Sequence, residues 1–304
     1  MRKDKARGWF PRWFWPSFAA PASLWLLLFF VVLFYVIVAV AFGTIDPVFL
    51  TPKPVYSPLR WDTTSFQNVL SDLFTAHTIT NQTFLRTLVY VGIATTLCLL
   101  LGYPVAYFIA RHAGKAKAFF LIAFVAPFWI SYMMRMFAWV NLLQPTGYVN
   151  RILIALHLQS KPIAFLEGKP STVVMGLFYG YVPYMILPLY GMLDRISGST
   201  LEAARDLGAG QIRTFVRVTL PLSRQAILAG CIIVALPMFG DYFTQSLLSS
   251  TRDTAMFGNL IVGSIESSLV NQGASLVIVM LILLLIPMLY YMRSTRAAQT
   301  QAGR

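Results

Sequence analysis

"LEAARDLGAGQIRTFVRVTLP" (residues 201–221) is a polar island in an apolar chain. It carries Glu202, Arg205, Asp206, Arg213 and Arg217, and apolar runs lie on both sides of it. The 304 residues are 57% hydrophobic and only 12% charged. A soluble domain has about a quarter of its residues charged. The island therefore reads as a loop between membrane-embedded helices, and the apolar runs decide the fold.

A hydrocarbon core about 30 Å thick needs roughly 20 apolar residues of helix. Six stretches meet that length: 22–42, 84–110, 118–143, 171–193, 225–247 and 274–292. The third and fourth contain Pro127, Pro183 and Pro188, which neighbouring helices accommodate in a bundle. Strands are a poor alternative, because these runs lack the ten-residue alternation of membrane barrels. The expected fold class is an all-α integral membrane protein with six spans. The run from 22 is too long for a cleavable leader and reads as a retained anchor.

Lys and Arg set the orientation. Sixteen of the 24 basic residues fall in 1–21, 111–117, 194–224 and 293–304. The intervening loops, 43–83, 144–170 and 248–273, hold six. The first set is expected to be cytoplasmic, with both termini inside: a basic tail at 1–21 and a second tail at 293–304. Asp46, Asp62, Asp72, Glu167, Asp253 and Glu266 all fall on the opposite side. The net charge of +13 thus records topology, and a nucleic-acid partner is not implied.

Other chemistry is sparse. Cys98 and Cys231 lie in apolar runs, and His77, His112 and His157 are isolated. No metal site, disulfide framework or phosphate-cradling glycine loop is expected. The 43–83 loop opens on the proline-rich "DPVFLTPKPVYSP" and reads as ordered loop or short helix. "NQT" at 81–83 has acceptor spacing but lies on a span boundary. Gly176 and Gly180 share one helix face, as do Ala226 and Gly230, which lets helices approach closely.

Within the island, Ser199 and Glu202 have capping-box spacing ahead of a short helix at 200–207. Gly208 and Gly210 are natural stops. A second helical stretch, 211–219, leads to Pro221 and the next span.

The pattern is more specific than an amphipathic loop. Glu202-Ala203-Ala204, Gly208 and Val218-Thr219-Leu220-Pro221 resemble the EAA motif of permease subunits of binding-protein-dependent ABC importers. The one departure is Val218 in place of isoleucine. The resemblance implies a coupling helix that docks on a separate ATPase. Glu202 would hold the docking geometry, Ala203 and Ala204 would permit close approach, and Gly208 would form the elbow. Leu207, Val218, Leu220 and Pro221 complete the expected coupling set. ATP and magnesium would belong to the ATPase, leaving this chain with no cofactor and no catalytic residue.

The resemblance covers about 84–292. "LGYPVAYFIAR" (101–111), "PFWISYMMRMFAWVNLLQPTGYVN" (127–150) and "GYVPYMILPLY" (180–190) are similar to spermidine/putrescine-type permeases, the first of the two in that system above all. It implies the type I importer fold in a bacterial inner membrane. The implied partners are two ATPase subunits, a second permease and an extracytoplasmic polyamine-binding protein.

Ionisable residues inside spans are functional hypotheses by default. Arg135 and Asp241, counted along unbroken helices at 1.5 Å per residue, would lie roughly 9–14 Å below the outer surface. Asp241 either attracts an ammonium group or pairs with Arg135. Tyr242, Phe243, Trp129, Tyr132 and Tyr184 are the candidate aromatic faces for a cation. The alternatives are a permease for another solute, such as an anion drawn to Arg135, or an ATP-independent channel or membrane enzyme. The last two fit poorly with the docking motif and with only two ionisable groups at one depth.

Overall fold

The structure is a computed structural model that describes residues 14–46 and 51–302. The basic tail up to residue 13 and the loop at 47–50 lie outside the described residues. Among the described residues, five helices are long and apolar enough to cross a bilayer. These are Pro16–Ala41, Ile79–Arg111, Pro170–Leu193, Gln211–Phe239 and Val270–Thr295. A further pair, Gly114–Trp129 and Tyr132–Ala155, reaches that length and hydropathy only when taken together, and it is bent through 86°.

That bend corrects the single span expected at 118–143. Helices α1 (Phe14–Ala41), α2 (Thr64–Phe74) and α3 (Ile79–Arg111) precede it. Helix α4 (Lys117–Val125) gives way to a 3-10 turn, Ala126–Trp129. Ile130 and Ser131 are then extended, with ψ of 135° and 140°. Helix α5 starts afresh at Tyr132 and runs to Leu143. Pro127 is the physical cause, since its ring removes an N–H from the helical ladder. Helix α6 (Tyr148–Ala155) and α7 (Pro170–Leu193) follow.

A second correction falls on the span expected at 225–247. Helix α8 (Gly198–Asp206) and α9 (Gln211–Thr214) lead through a π turn, Phe215–Thr219, into α10 (Leu220–Phe239). Pro237 withholds its donor near the end, and Gly240 closes the helix with its N–H on the Pro237 carbonyl at 3.2 Å. Helix α11 is a separate short piece, Phe243–Leu248. Asp241 therefore sits in a break, and the depths counted along unbroken helices do not apply. Helix α12 (Phe257–Glu266) and α13 (Val270–Ala302) complete the chain. Residues 293–302, expected as a tail, continue α13.

The chain divides into two compact units. The larger comprises 70–263 and the chain from 279 onward. Its core is α3, α7 and α10, with Cys98, Ala106, Ile109, Leu177, Met185, Leu189, Val234 and Met238 buried together. Glycines set how closely these helices approach. A Cβ on Gly102 would lie 3.1 Å from Met185 Cγ, and one on Gly230 would lie 2.6 Å from its Sδ. Met185 thus fills the notch that two glycines leave on neighbouring helices. Asn81 of the "NQT" stretch lies in α3, and its amide donates to the Leu73 carbonyl at 2.7 Å.

The polar island is a helix–turn–helix. Ser197, rather than Ser199, caps α8: its hydroxyl accepts from the Thr200 N–H at 3.3 Å. Ser199 instead donates to Ser197 Oγ, so Glu202 lies past the third helical position that a capping box needs, which Thr200 occupies. At the other end Gly208 adopts φ +81°. Its N–H reaches the Arg205 carbonyl, and the Ala209 N–H reaches that of Ala204, which is the Schellman arrangement. Gly210 is extended and begins α9 instead of ending α8. Phe215 in the π turn is clamped by Tyr103 and Tyr107, each ring centroid 5.7 Å away and near perpendicular.

The smaller unit comprises residues up to 69 and 264–278. Helix α1 ends in a two-stranded antiparallel hairpin, β1 (Thr44–Ile45) and β2 (Pro52–Lys53). Lys53 pairs with Asp46 at 2.6 Å. Asn271 donates to the Gly43 carbonyl at 2.7 Å, and Ala41, Ala274 and Ile278 pack together. Asp62 accepts from the backbone N–H and the hydroxyl of Thr64 at the start of α2. Those two donors hold its carboxyl below the usual carboxylate range.

Candidate functional site

Among the described residues of the larger unit, two charged side chains are buried, and they are not paired with each other. Asp241 and Arg135 are each 6% exposed. The Asp241 carboxylate is surrounded by neutral donors. Its Oδ1 accepts from the Thr244 N–H at 2.9 Å, capping α11. Its Oδ2 accepts from Thr244 Oγ1 at 2.7 Å, Tyr132 at 2.6 Å and Tyr181 at 3.4 Å. Tyr132 and Thr244 also lie 2.5 Å apart. Among the described residues, no Lys or Arg lies within ion-pair distance of this buried carboxylate.

Arg135 sits in the first turn of α5, three residues after Tyr132. Its guanidinium lies over Phe128 at 4.1 Å, over Tyr132 at 5.4 Å and over Tyr179 at 6.0 Å. Its Nε and Nη1 are sealed from solvent without a hydrogen-bond partner. Aromatic faces attract such a cation, but they leave N–H donors unmet, and that is costly in a buried place. Tyr132 touches both charges, through its hydroxyl on one side and its ring on the other.

Three glycines shape the seat. A Cβ on Gly180 would meet the Tyr132 ring at 2.6 Å. One on Gly176 would lie 2.7 Å from Thr244 Cγ2 and 2.4 Å from Leu248. Thus the one face of α7 read as a packing cue receives both the tyrosine and α11. Gly258, at the start of α12, would press a Cβ on the Gly240 and Asp241 carbonyls at 2.7 and 2.9 Å. Any side chain there would displace the break that carries the acid.

The other candidate aromatics are dispersed. Tyr184 is exposed and meets Phe128 edge to face at 6.0 Å and Tyr181 at 6.2 Å. Phe243 is exposed and packs on half-buried Tyr242 at 5.4 Å. Trp129 is 81% exposed and stands apart from the acid's hydrogen-bond shell. The sequence reading missed Tyr181, Thr244 and Phe128. Thr244 had a legible signal, an Asp followed three residues later by a hydroxyl residue at a helix start.

A second surface lies at the polar island. Leu201 is buried in the core, while Glu202, Ala203 and Gly208 are exposed. Leu207 is 89% exposed and Ile212 81%. Ala204 and Val218 are half-buried, and Leu220 and Pro221 are exposed. An open hollow beside Gly208 is lined by Gln211, Ile212, Val216 and Arg217. The island thus offers a sterically low ridge on which exposed Leu207 and Ile212 stand among charged side chains, its base anchored by Leu201 and Phe215.

Comparison with known proteins agrees with this architecture. The chain is 35% identical over 210 residues to the spermidine/putrescine transport system permease protein PotB of Escherichia coli, covering 67% of this chain and 74% of that protein. It is 33% identical over 237 residues to the Haemophilus influenzae protein of the same name, covering 78% of each. The fold matches a chain in a crystal structure of a bacterial alginate ABC transporter in complex with an alginate pentasaccharide-bound periplasmic protein. The TM-score is 0.72 at 16% identity, over 94% of this chain and 95% of that one. A second alginate importer structure matches with TM-score 0.65 at 18% identity, over 94% and 96%. Residues 2–299 match the family of binding-protein-dependent transport system inner membrane components, and the chain belongs to that family.

Proposed function

We propose that this chain is the permease subunit of an ATP-driven importer for a polyamine, with Asp241 receiving an ammonium group of the solute. The observation that carries the reading is a buried carboxylate with neutral donors and no cation of its own. An unbalanced acid inside a membrane protein is kept for a purpose, and an alkylammonium supplies the missing charge. Tyr132 and Tyr181 cover the carboxylate, and their rings, 5.7 Å apart, add cation-binding faces. The likeness to spermidine/putrescine permeases supports the same solute class.

Power comes from elsewhere. The exposed ridge of Glu202, Ala203, Leu207 and Gly208 is the docking surface for a separate ATPase, which holds ATP and magnesium. This chain carries out no hydrolysis. Two such ATPases, a second permease and a polyamine-delivering binding protein complete the assembly. ATPase closure moves α8, and the movement reaches α10 through the anchored π turn. Coupling of this kind requires a two-state element biased from both sites.

The test is uptake of radiolabelled spermidine by the complete transporter in vesicles. Asp241→Asn keeps the shape and loses the charge, so uptake should fall while assembly and basal ATPase activity persist. Normal uptake by that variant rejects Asp241 as the ammonium site. One observation favours a second reading, an importer of an anionic solute: the unpartnered Arg135. Solute binding to the partner binding protein separates the two.

A further inference from the structure

The two buried charges have complementary needs. Asp241 lacks a cation, and Arg135 lacks acceptors on two of its nitrogens. Among the described residues, no carboxylate lies within ion-pair distance of the Arg135 guanidinium. The two groups are nonetheless neighbours through one side chain. Tyr132 gives its hydroxyl to Asp241 at 2.6 Å and its ring face to Arg135 at 5.4 Å. The ring thus stands between the two opposite charges as a spacer.

Both charges also lie where the chain is built to shift. Tyr132 is the first residue of α5, directly after the extended pair Ile130–Ser131. Asp241 occupies the break between α10 and α11. Residues at element ends absorb the φ/ψ change of hinge motions. The ring of Tyr132 rests in a notch only because residue 180 is glycine, and the α7 side chain beside it is the ring of Tyr181, 5.7 Å away.

We propose that Arg135 is the built-in rival of the solute for Asp241. The inference rests on Asp241 being the ammonium site. In the conformation seen here, Tyr132 keeps Arg135 off the acid, and the carboxylate lies under Tyr132 and Tyr181 without a cation. When the helices rock, Tyr132 swings aside and the guanidinium closes on the carboxylate. The departing ammonium is thereby replaced at once, and the acid never stands bare in a desolvated place. Arg135 serves as a positioning residue for release, and it binds no solute itself.

The experiment uses the complete transporter in vesicles, with assembly checked by gel filtration. Radiolabelled spermidine is followed both as uptake and as label retained on the transporter after ATP turnover. Arg135→Gln should lower the maximal uptake rate about tenfold, the equivalent of ~1.4 kcal/mol, and should leave label on the protein. Arg135→Lys keeps the charge and should restore uptake and release. In the Asp241→Asn background, Arg135→Gln should change nothing further, which a purely structural role would not produce. Normal release by Arg135→Gln overturns the proposal. Spermidine label retained by an assembled Arg135→Lys transporter after ATP turnover, above the wild-type level, does so too, and this arm decides the matter if Arg135→Gln fails to assemble. Normal uptake by Asp241→Asn rejects the ammonium site and this inference together. Defective Asp241→Asn beside normal Arg135→Gln rejects this inference alone.

Discussion

Gly180 of α7 exists as glycine because the ring of Tyr132 occupies the place of its side chain: a Cβ would stand 2.6 Å from Cε2 and 3.0 Å from the hydroxyl oxygen. A residue on one helix thereby aims a hydroxyl on another at Asp241. Gly180→Ala forces the ring outward, and overpacking of this kind costs about 1–3 kcal/mol. The purified chain should melt at a lower temperature, and spermidine uptake should fall further than the melting shift alone explains. An unshifted melting curve with normal uptake contradicts this geometry.

Tyr132→Phe isolates the hydroxyl. The ring still fills the Gly180 notch, so packing is conserved. One donor to a charged acceptor is lost, an interaction worth about 1.5–3 kcal/mol. The expected result is a folded, ATPase-associated permease with altered apparent affinity for spermidine, read from the concentration dependence of uptake. Wild-type affinity would show that Tyr132 does not tune the acid.

Gly258→Ala reports on the break from a distance. The added methyl meets the carbonyls of Gly240 and Asp241 at 2.7 and 2.9 Å, and backbone does not yield as a flexible side chain does. The acid should be displaced without any change in its own hydrogen-bonding chemistry. Uptake should fall in parallel with Asp241→Asn, while co-purification of the ATPase stays normal. Unimpaired uptake would mean that the break tolerates movement.

Leu207→Asp and Gly208→Val probe the ridge separately. Leu207 is 89% exposed, so its replacement should leave the melting temperature of the isolated chain unchanged. Co-purification of the ATPase should nevertheless be lost. Gly208 has φ +81°, where a side chain costs about 1–2 kcal/mol and a β-branched one resists further. That variant should lose both local order and ATPase binding. Retained ATPase association in both variants would remove the docking assignment.

Phe215→Ala separates docking from transmission. The half-buried ring is held between Tyr103 and Tyr107, and truncating it costs less than a fully buried phenylalanine, for which the loss is about 3–5 kcal/mol. The ridge itself is untouched. The ATPase should still bind, and ATP hydrolysis should continue with reduced solute uptake per ATP. Unchanged coupling would show that the π turn is passive.

Hydropathy and charge made most of this molecule legible before any coordinates. Runs of apolar residues name long helices whatever their neighbours are, because the bilayer imposes the length. The island's motif was legible because its residues are close in sequence. The breaks were less so. Pro127 inside an apolar run is compatible with a kink as well as with a stop, and only the following extended pair at 130–131 decides it. Gly176 and Gly180 announced a close approach, but not its object, because Tyr132 and Thr244 arrive from distant chain segments. The Tyr132–Asp241 contact joins residues 109 apart, and no local pattern encodes such a pairing. Ser197 displaced Ser199 as the cap because the chain turns two residues earlier than the Ser–Glu spacing suggested.

The π turn at 215–219 has a geometric consequence. Each residue of an α-helix advances the azimuth by about 100°, and one wide turn inserts a residue without a matching advance. The docking ridge and the core-facing stripe of α10 are therefore out of phase, like the bow and the bit of a key filed at an angle. Removing one residue from the turn would leave both surfaces chemically intact and point the ridge away from its lock.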